Sequence, residues 1–292
     1  GSGSVIDGTK FIAAAITFTG EPCDILAKHA PLAAAVPFGT VLTLPATGSG
    51  MNGGSVVSRK ATQDKLFFGH PLVFPQFSIL DPEKTYTLPV RQVGNGVVDA
   101  FVHVMEQYLT YPANAPLQDR FAEGILLTLI EEAPKLKTAP QDYNVRANIM
   151  WCATLALNGL IGAGVPQDWS THMIGHEITA LHGLDHAQTL AIVLPATLRA
   201  RRAAKREKLL QYAARVWGIS TADENPAIEQ AIERTAAFFR AVGLPTRLKD
   251  YGISGDYASP LLAQLKRHHM VQLGEKGDVT LDTVSEVLKL CA

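Results

Sequence analysis

The chain has 292 residues, of which 47% are hydrophobic and 18% charged, with a formal net charge of -1. Its length suggests about two domains of roughly 150 residues each, and its apolar content excludes a disordered chain. A near-neutral balance gives no electrostatic reason to expect nucleic acid or an anionic membrane surface as a partner.

In chain order, residues 1–90 read as mixed α/β. Residues 1–8 are a glycine- and serine-rich turn that runs into an apolar helix ending near Ala15. Residues 36–44 alternate loosely and contain β-branched side chains, which predicts a strand. Residues 45–54 carry small polar residues and glycines and predict a loop. Short strands are predicted over 55–58 and 77–80, and Asp81-Pro82 and Leu88-Pro89 punctuate the end of the region. Residues 91–292 read as an all-helical domain. The periodicity predicts helices over 97–109, with Asn95 or Gly96 near the start, over 117–132, closed by Pro134, and over 145–161, 168–181, 187–204, 205–216, 226–242 and 260–268. The basic run 199–208 reads as a solvated helix face.

No apolar run approaches the ~20 residues needed to span a bilayer, and no signal peptide is visible. Cys23, Cys152 and Cys291 are far apart, and none belongs to a C-x-x-C pair. A disulfide framework or thiolate zinc site is therefore not expected, and a reducing, cytoplasmic compartment is. The chain begins with Gly1, which reads as a processed, trimmed or partial sequence.

The chemistry-bearing residues concentrate in two segments. Asp99 and His103 are i,i+4 in a predicted helix, so both leave one face. His172 and His176 are one turn apart in a second helix, which ends at His182-Gly183, and His186 opens the next segment. Imidazoles with a carboxylate suit Zn²⁺ or Fe²⁺ better than Mg²⁺ or Ca²⁺. Spacing alone leaves open which three of these histidines bind. It excludes a zincin, because the second histidine of H-E-x-x-H is replaced by Ala180 after His176-Glu177.

The segments Asn95-Gly-Val-Val-Asp99-Ala-Phe-Val-His103 and His172-Met-Ile-Gly-His176-Glu-x4-His182-Gly-x2-His186-Ala resemble the two signatures of the iron-containing alcohol dehydrogenase family. Within it they are most similar to the butanol dehydrogenase and NADPH-dependent aldehyde reductase branch. The resemblance implies a metal held by Asp99, His103, His172 and His186. It also implies that His176 is a non-ligand histidine near nicotinamide and substrate. His182 is read as a histidine at a helix end.

On the cofactor side, Gly1-Ser-Gly3-Ser4-Val-Ile-Asp7 is similar to the family's G-G-G-S-x-x-D phosphate turn, with Ser2 at a usual glycine. The loop Thr43-Leu-Pro-Ala-Thr47-Gly-Ser49 is similar to its second nucleotide loop, and Lys65 to a lysine near the nicotinamide-side ribose. Gly50 stands where the family usually has an acidic residue, and Lys84 where it usually has an apolar one. The family's first stretch, about a quarter of a usual member, has no counterpart, and losing it would strip neighbours from a sheet that needs both faces covered. The expected fold is therefore an α/β nucleotide-binding remnant, residues 1–90, followed by an all-helical metal-binding catalytic domain, residues 91–292. A chain of that kind is expected to bind NADPH poorly alone.

The implied reaction interconverts aldehydes and primary alcohols, with NADPH expected over NADH and Fe²⁺ or Zn²⁺ as the metal. Partners are the small aldehyde or alcohol, with no nucleic acid or membrane; a homodimer is one arrangement the sequence allows. Two other readings compete, a His/Asp metal phosphohydrolase and a non-catalytic metal-binding fragment. Neither needs NADPH.

Overall fold

The computed structural model describes residues 1–62 and 64–292. The first part is α/β. Helix α1 (Gly3–Ala15) is followed by the short α2 (Asp24–Ala27) and strand β1 (Gly39–Val41). The hairpin β2 (Gly54–Arg59) and β3 (Asp64–Gly69) comes next, and then β4 (Phe77–Ile79). β1 pairs in parallel with β4, Gly39 opposite Phe77 and Val41 opposite Ile79. β2 and β3 pair antiparallel, with Ser58 opposite Lys65 and Arg59 opposite Asp64. A small core of Ala14, Ile25, Leu26, Phe68 and Val73 ties α1 and α2 to the hairpin.

The helical part comprises α3 (Val90–Tyr108), α4 (Pro116–Glu132), α5 (Tyr143–Leu155), α6 (Ser170–His182), α7 (His186–Ala200), α8 (Arg206–Arg215), α9 (Glu224–Ala241), α10 (Ala258–Arg267) and α11 (Leu281–Leu290). Helix α3 is its axis, buried from Gly94 to Tyr108. It packs among α4, α5 and α7 around Phe101, Leu126, Leu129, Tyr212 and Phe239. α7 presents Leu190 and Leu194 to that core. Its other side, with Ile192 and Val193, meets a second core built with Ile174, Leu265, Val284 and Leu288.

Several sequence expectations are corrected. α3 starts at Val90, directly after Pro89, not near Asn95. Asn95 and Gly96, taken as its start, lie inside it, and Gly96 allows close approach; a Cβ there would sit 2.2 Å from Pro45 O. Helix α1 begins at Gly3, inside the predicted turn. Of the predicted strand 36–44 only Gly39–Val41 pairs; Pro37 has no N–H to give a ladder. Strand β3 escaped prediction because Asp-Lys-Leu-Phe-Phe-Gly neither alternates nor contains a β-branched residue. The second part is not wholly helical: β5 (Gln272–Leu273) and β6 (Val279–Thr280) form a short antiparallel ladder.

The basic run is only partly a solvated face. Arg202 and Arg206 are exposed, but Lys205 and Lys208 are 3% and 5% exposed, each held by carboxylates. Lys205 Nζ lies 2.6 Å from Asp168 Oδ2 and 3.1 Å from Glu275 Oε1, and Lys208 lies 2.7 Å from Asp119.

Candidate metal centre and nucleotide cleft

Between the two parts lies a cleft of about 1020 Å³. Its inner end is built by three helices. α3 presents Asp99, His103 and Glu106 on one face, at i, i+4 and i+7. α6 presents His172 and His176 one turn apart. Gly183, at φ 71°, closes α6 in the left-handed conformation that glycine favours. The chain can then turn at once into α7, where Asp185 forms a capping box with Gln188. Asp185 also accepts from Asn95 Nδ2 at 2.9 Å and pairs with Arg91. The start of α7 is thereby pinned to α3, and His186, its first residue, faces the cluster.

One ligand atom from each of Asp99, His172 and His186 lies within 4.8 Å of the others. His103 stands beside this trio, its Nε2 3.7 Å from the Asp99 Oδ1 that is 3.5 Å from His186 Nε2. Its ring stacks on His172 at 4.7 Å, and His176 lies 4.9 Å from the His186 ring. Burial holds the imidazoles of His103, His172, His176 and His186 below the usual histidine range, so they are neutral near pH 7. Burial also raises the Asp99 carboxyl, although His103 and Lys65 pull it down.

Asp99 Oδ1 and His172 Nε2 are buried without a hydrogen-bond partner. Orphaned acceptors so placed are costly unless a cation meets them. Glu106 sharpens the point: its Oε1 accepts from His172 N at 2.9 Å and faces His172 Nδ1 at 3.1 Å. With the proton on Nδ1, Nε2 is left with a free lone pair toward the cluster. Glu106 was missed in the sequence, although its position on the face of Asp99 and His103 could have flagged it. These donors fit a divalent transition metal.

The outer end of the cleft is lined by Gly3, Ser4, Asp7 and Thr47, and Lys65 projects from β3 between the two ends. A Cβ on Gly3 would lie 2.6 Å from Thr47 Oγ1, so only glycine lets the first turn of α1 approach this loop. The Asp7 carboxylate accepts from Ser49 Oγ at 2.5 Å and Val56 N at 3.0 Å, which fastens α1 to the loop and hairpin. Ser49, 1% exposed, also accepts from the buried Lys10 at 2.8 Å. Ser49 and Thr43 therefore stand outside the cleft wall. His182, at the end of α6, is likewise outside it. Burial lowers Lys65 to about 8, against the pull of Asp99 and Asp7. Leu157, Trp169 and Met173 add an apolar side near the histidines. Trp169 holds φ 64° at the head of α6, a strained backbone for a bulky residue, and its ring is 5.2 Å from that of His172.

Two family models match, Iron-containing alcohol dehydrogenase over residues 1–82 and the C-terminal part of the Fe-containing alcohol dehydrogenase family over residues 94–291. The chain belongs to the iron-containing alcohol dehydrogenase family. It is an oxidoreductase of the alcohol dehydrogenase and aldehyde reductase type, with the family's α/β N-terminal and helical C-terminal domains. It is 60% identical to the NADPH-dependent aldehyde reductase YqhD of Escherichia coli K12, over 97% of this chain and 74% of that protein. It is 44% identical to the probable NADH-dependent butanol dehydrogenase 1 of Bacillus subtilis, over 88% of this chain and 67% of that protein. The crystal structure of E. coli K-12 YqhD superposes with a TM-score of 0.98 at 57% identity, covering all of this chain and 75% of that one. Among the described residues no helix is long and apolar enough to cross a membrane.

Proposed function

We propose that this family member reduces aldehydes to primary alcohols with NADPH, at one Fe²⁺ or Zn²⁺ held by Asp99, His103, His172 and His186. We take residues 1–90 as the nucleotide-binding part and residues 91–292 as the metal-binding part. The observation that carries the reading is the convergence of Asp99, His172 and His186, with Asp99 Oδ1 and His172 Nε2 buried and unpaired, at the inner end of a cleft whose outer end is a glycine-opened helix start. NADPH is favoured over NADH because the 60% identical relative is NADPH-dependent.

The chemistry supplied when both groups are bound is Lewis-acid polarisation of the aldehyde oxygen and hydride donation from the dihydronicotinamide. The residues supply the rest. Gly3, Ser4 and Thr47 offer N–H and hydroxyl groups to phosphate. Asp7 and Ser49 hold that turn in place. Lys65 sets a cation between the two ends of the cleft. Leu157, Trp169 and Met173 give an alkyl chain an apolar wall and keep water from the carbonyl. The product oxygen must gain one proton. His176, neutral and buried beside the cluster, can take a proton from water or ribose and pass it on.

The functional reading is tested by following NADPH oxidation with a short aldehyde before chelation, after it, and after Fe²⁺ or Zn²⁺ is restored. The rate should fall and return. NADPH binding separates this reading from a phosphohydrolase or a non-catalytic metal-binding protein.

Two smaller effects follow. Glu106→Gln should weaken metal affinity about 10–100-fold, the usual cost of losing a carboxylate behind a ligating histidine; competition with a chromophoric chelator measures it. Lys65 is protonated below about 8 and loses its charge above it. For an anionic cofactor, kcat/KM for NADPH should fall as pH rises through about 8 and become flat in that range in Lys65→Met.

A further inference from the structure

The hairpin that carries Lys65 is a two-stranded sheet, and such pairs are marginal on their own. Its far end is held by a polar group that the reaction does not use. His268, the residue after α10, has Nδ1 2.6 Å from Glu177 Oε1 and Nε2 2.9 Å from Asp64 Oδ1. Glu177 follows His176 on α6, and Asp64 precedes Lys65 on β3. One imidazole therefore bridges the helix that carries two cluster histidines and the strand that carries the cleft's central cation. Side-chain exposures are 10% for His268, 15% for Asp64 and 3% for Glu177. Arg267 adds an ion pair to Asp64 at 2.8 Å. None of these groups lines the cleft.

We propose that His268 is a positioning residue, clasping the β2–β3 hairpin onto α6 so that Lys65 stays over the metal-ligand cluster and the nucleotide side of the cleft stays narrow. Both ring nitrogens face carboxylate oxygens, so each contact is a charge-assisted hydrogen bond when its nitrogen carries the proton. Glu177 Oε2 already lacks a partner, so removing His268 leaves that carboxyl unpaired and buried and leaves the hairpin edge to the half-exposed Arg267 ion pair. The consequence for the cofactor rests on the cleft being an NADPH site; the clasp itself does not.

The test compares the metal-loaded full chain with His268→Ala, Asp64→Ala and the double variant. Hydrogen exchange of the β2–β3 amides should become about tenfold faster in each single variant, with α3 to α5 unchanged. The Kd for NADPH, from fluorescence titration, should rise about tenfold at unchanged metal content, and the double variant should be no worse than Asp64→Ala, which already loses both the His268 and the Arg267 contacts. Unchanged hairpin exchange in His268→Ala overturns the clasp whether or not NADPH binds, as do additive losses in the double variant. A wild-type chain that fails to bind NADPH contradicts the functional reading instead, and hairpin exchange still decides the clasp. If His268→Ala does not fold, exchange in Asp64→Ala, changed at the hairpin edge, decides alone.

Discussion

His172→Ala will be purified without metal, whereas His176→Ala will keep its metal and lose turnover. The two histidines share a helix face, yet their surroundings differ. His172 is oriented by Glu106 and belongs to the compact group with Asp99 and His186. His176 lies 6.3 Å from the His172 ring and 4.9 Å from that of His186, and outside the compact group with Asp99. Removing a ligating imidazole should exceed the 10–100-fold affinity loss typical of an outer carboxylate. Removing a proton relay should cost about 10²–10⁴-fold in kcat. Metal content by mass spectrometry, alongside NADPH-dependent aldehyde reduction, separates the two. Equal metal loss in both variants would show the i,i+4 pair to be assigned the wrong way round.

Lys205→Met should produce the largest loss of stability. Lys205 donates to Leu109 O at 2.6 Å and pairs with Asp168 and Glu275, all in the interior. Breaking a buried pair from one side strands the other charges, at a cost of about 3–5 kcal/mol. For a chain of this size that corresponds to a fall of roughly 10 °C in Tm. The damage reaches the metal centre, because Asp168 accepts from Ser170 N at 2.9 Å and gives its own N–H to Glu106 O at 2.8 Å. Burial raises the Asp168 carboxyl, but Lys205 and Ser170 outweigh it and leave it lowered. A carboxyl lowered on folding stabilises above its unfolded value of about 3.9 and loses that contribution as pH falls through the folded value. Without Lys205, acid unfolding should therefore begin at higher pH. Thermal scans across acid pH check both effects.

What the sequence discloses follows from how local each feature is. Asp99 and His103, like His172 and His176, share a face through helical spacing alone, so their grouping is legible in a string of letters. That His186 joins them depends on Gly183 and the Asp185 cap, and their geometry becomes clear only in three dimensions. The helices were legible from apolar periodicity, whereas the start of α3 was misread because Gly94 and Gly96 serve packing against distant backbone. Lys205 and Lys208 look like solvent-facing charges until their acceptors, 37 or more positions away in Asp168 and Asp119, are seen to surround them. Ser49 stands in a nucleotide-like loop, yet its hydroxyl is spent on Asp7 and Lys10. The clasp at His268 joins Asp64 to a residue 204 positions later, and no local pattern could reveal it.

The central claim is that one divalent metal is bound by Asp99, His103, His172 and His186. The most direct measurement is anomalous diffraction from crystals of the protein loaded with Zn²⁺ or Fe²⁺. One peak is expected among the four side chains, with ligand atoms about 2.0–2.2 Å away for zinc. A peak elsewhere, or His186 turned away from an ion bound to Asp99, would contradict it.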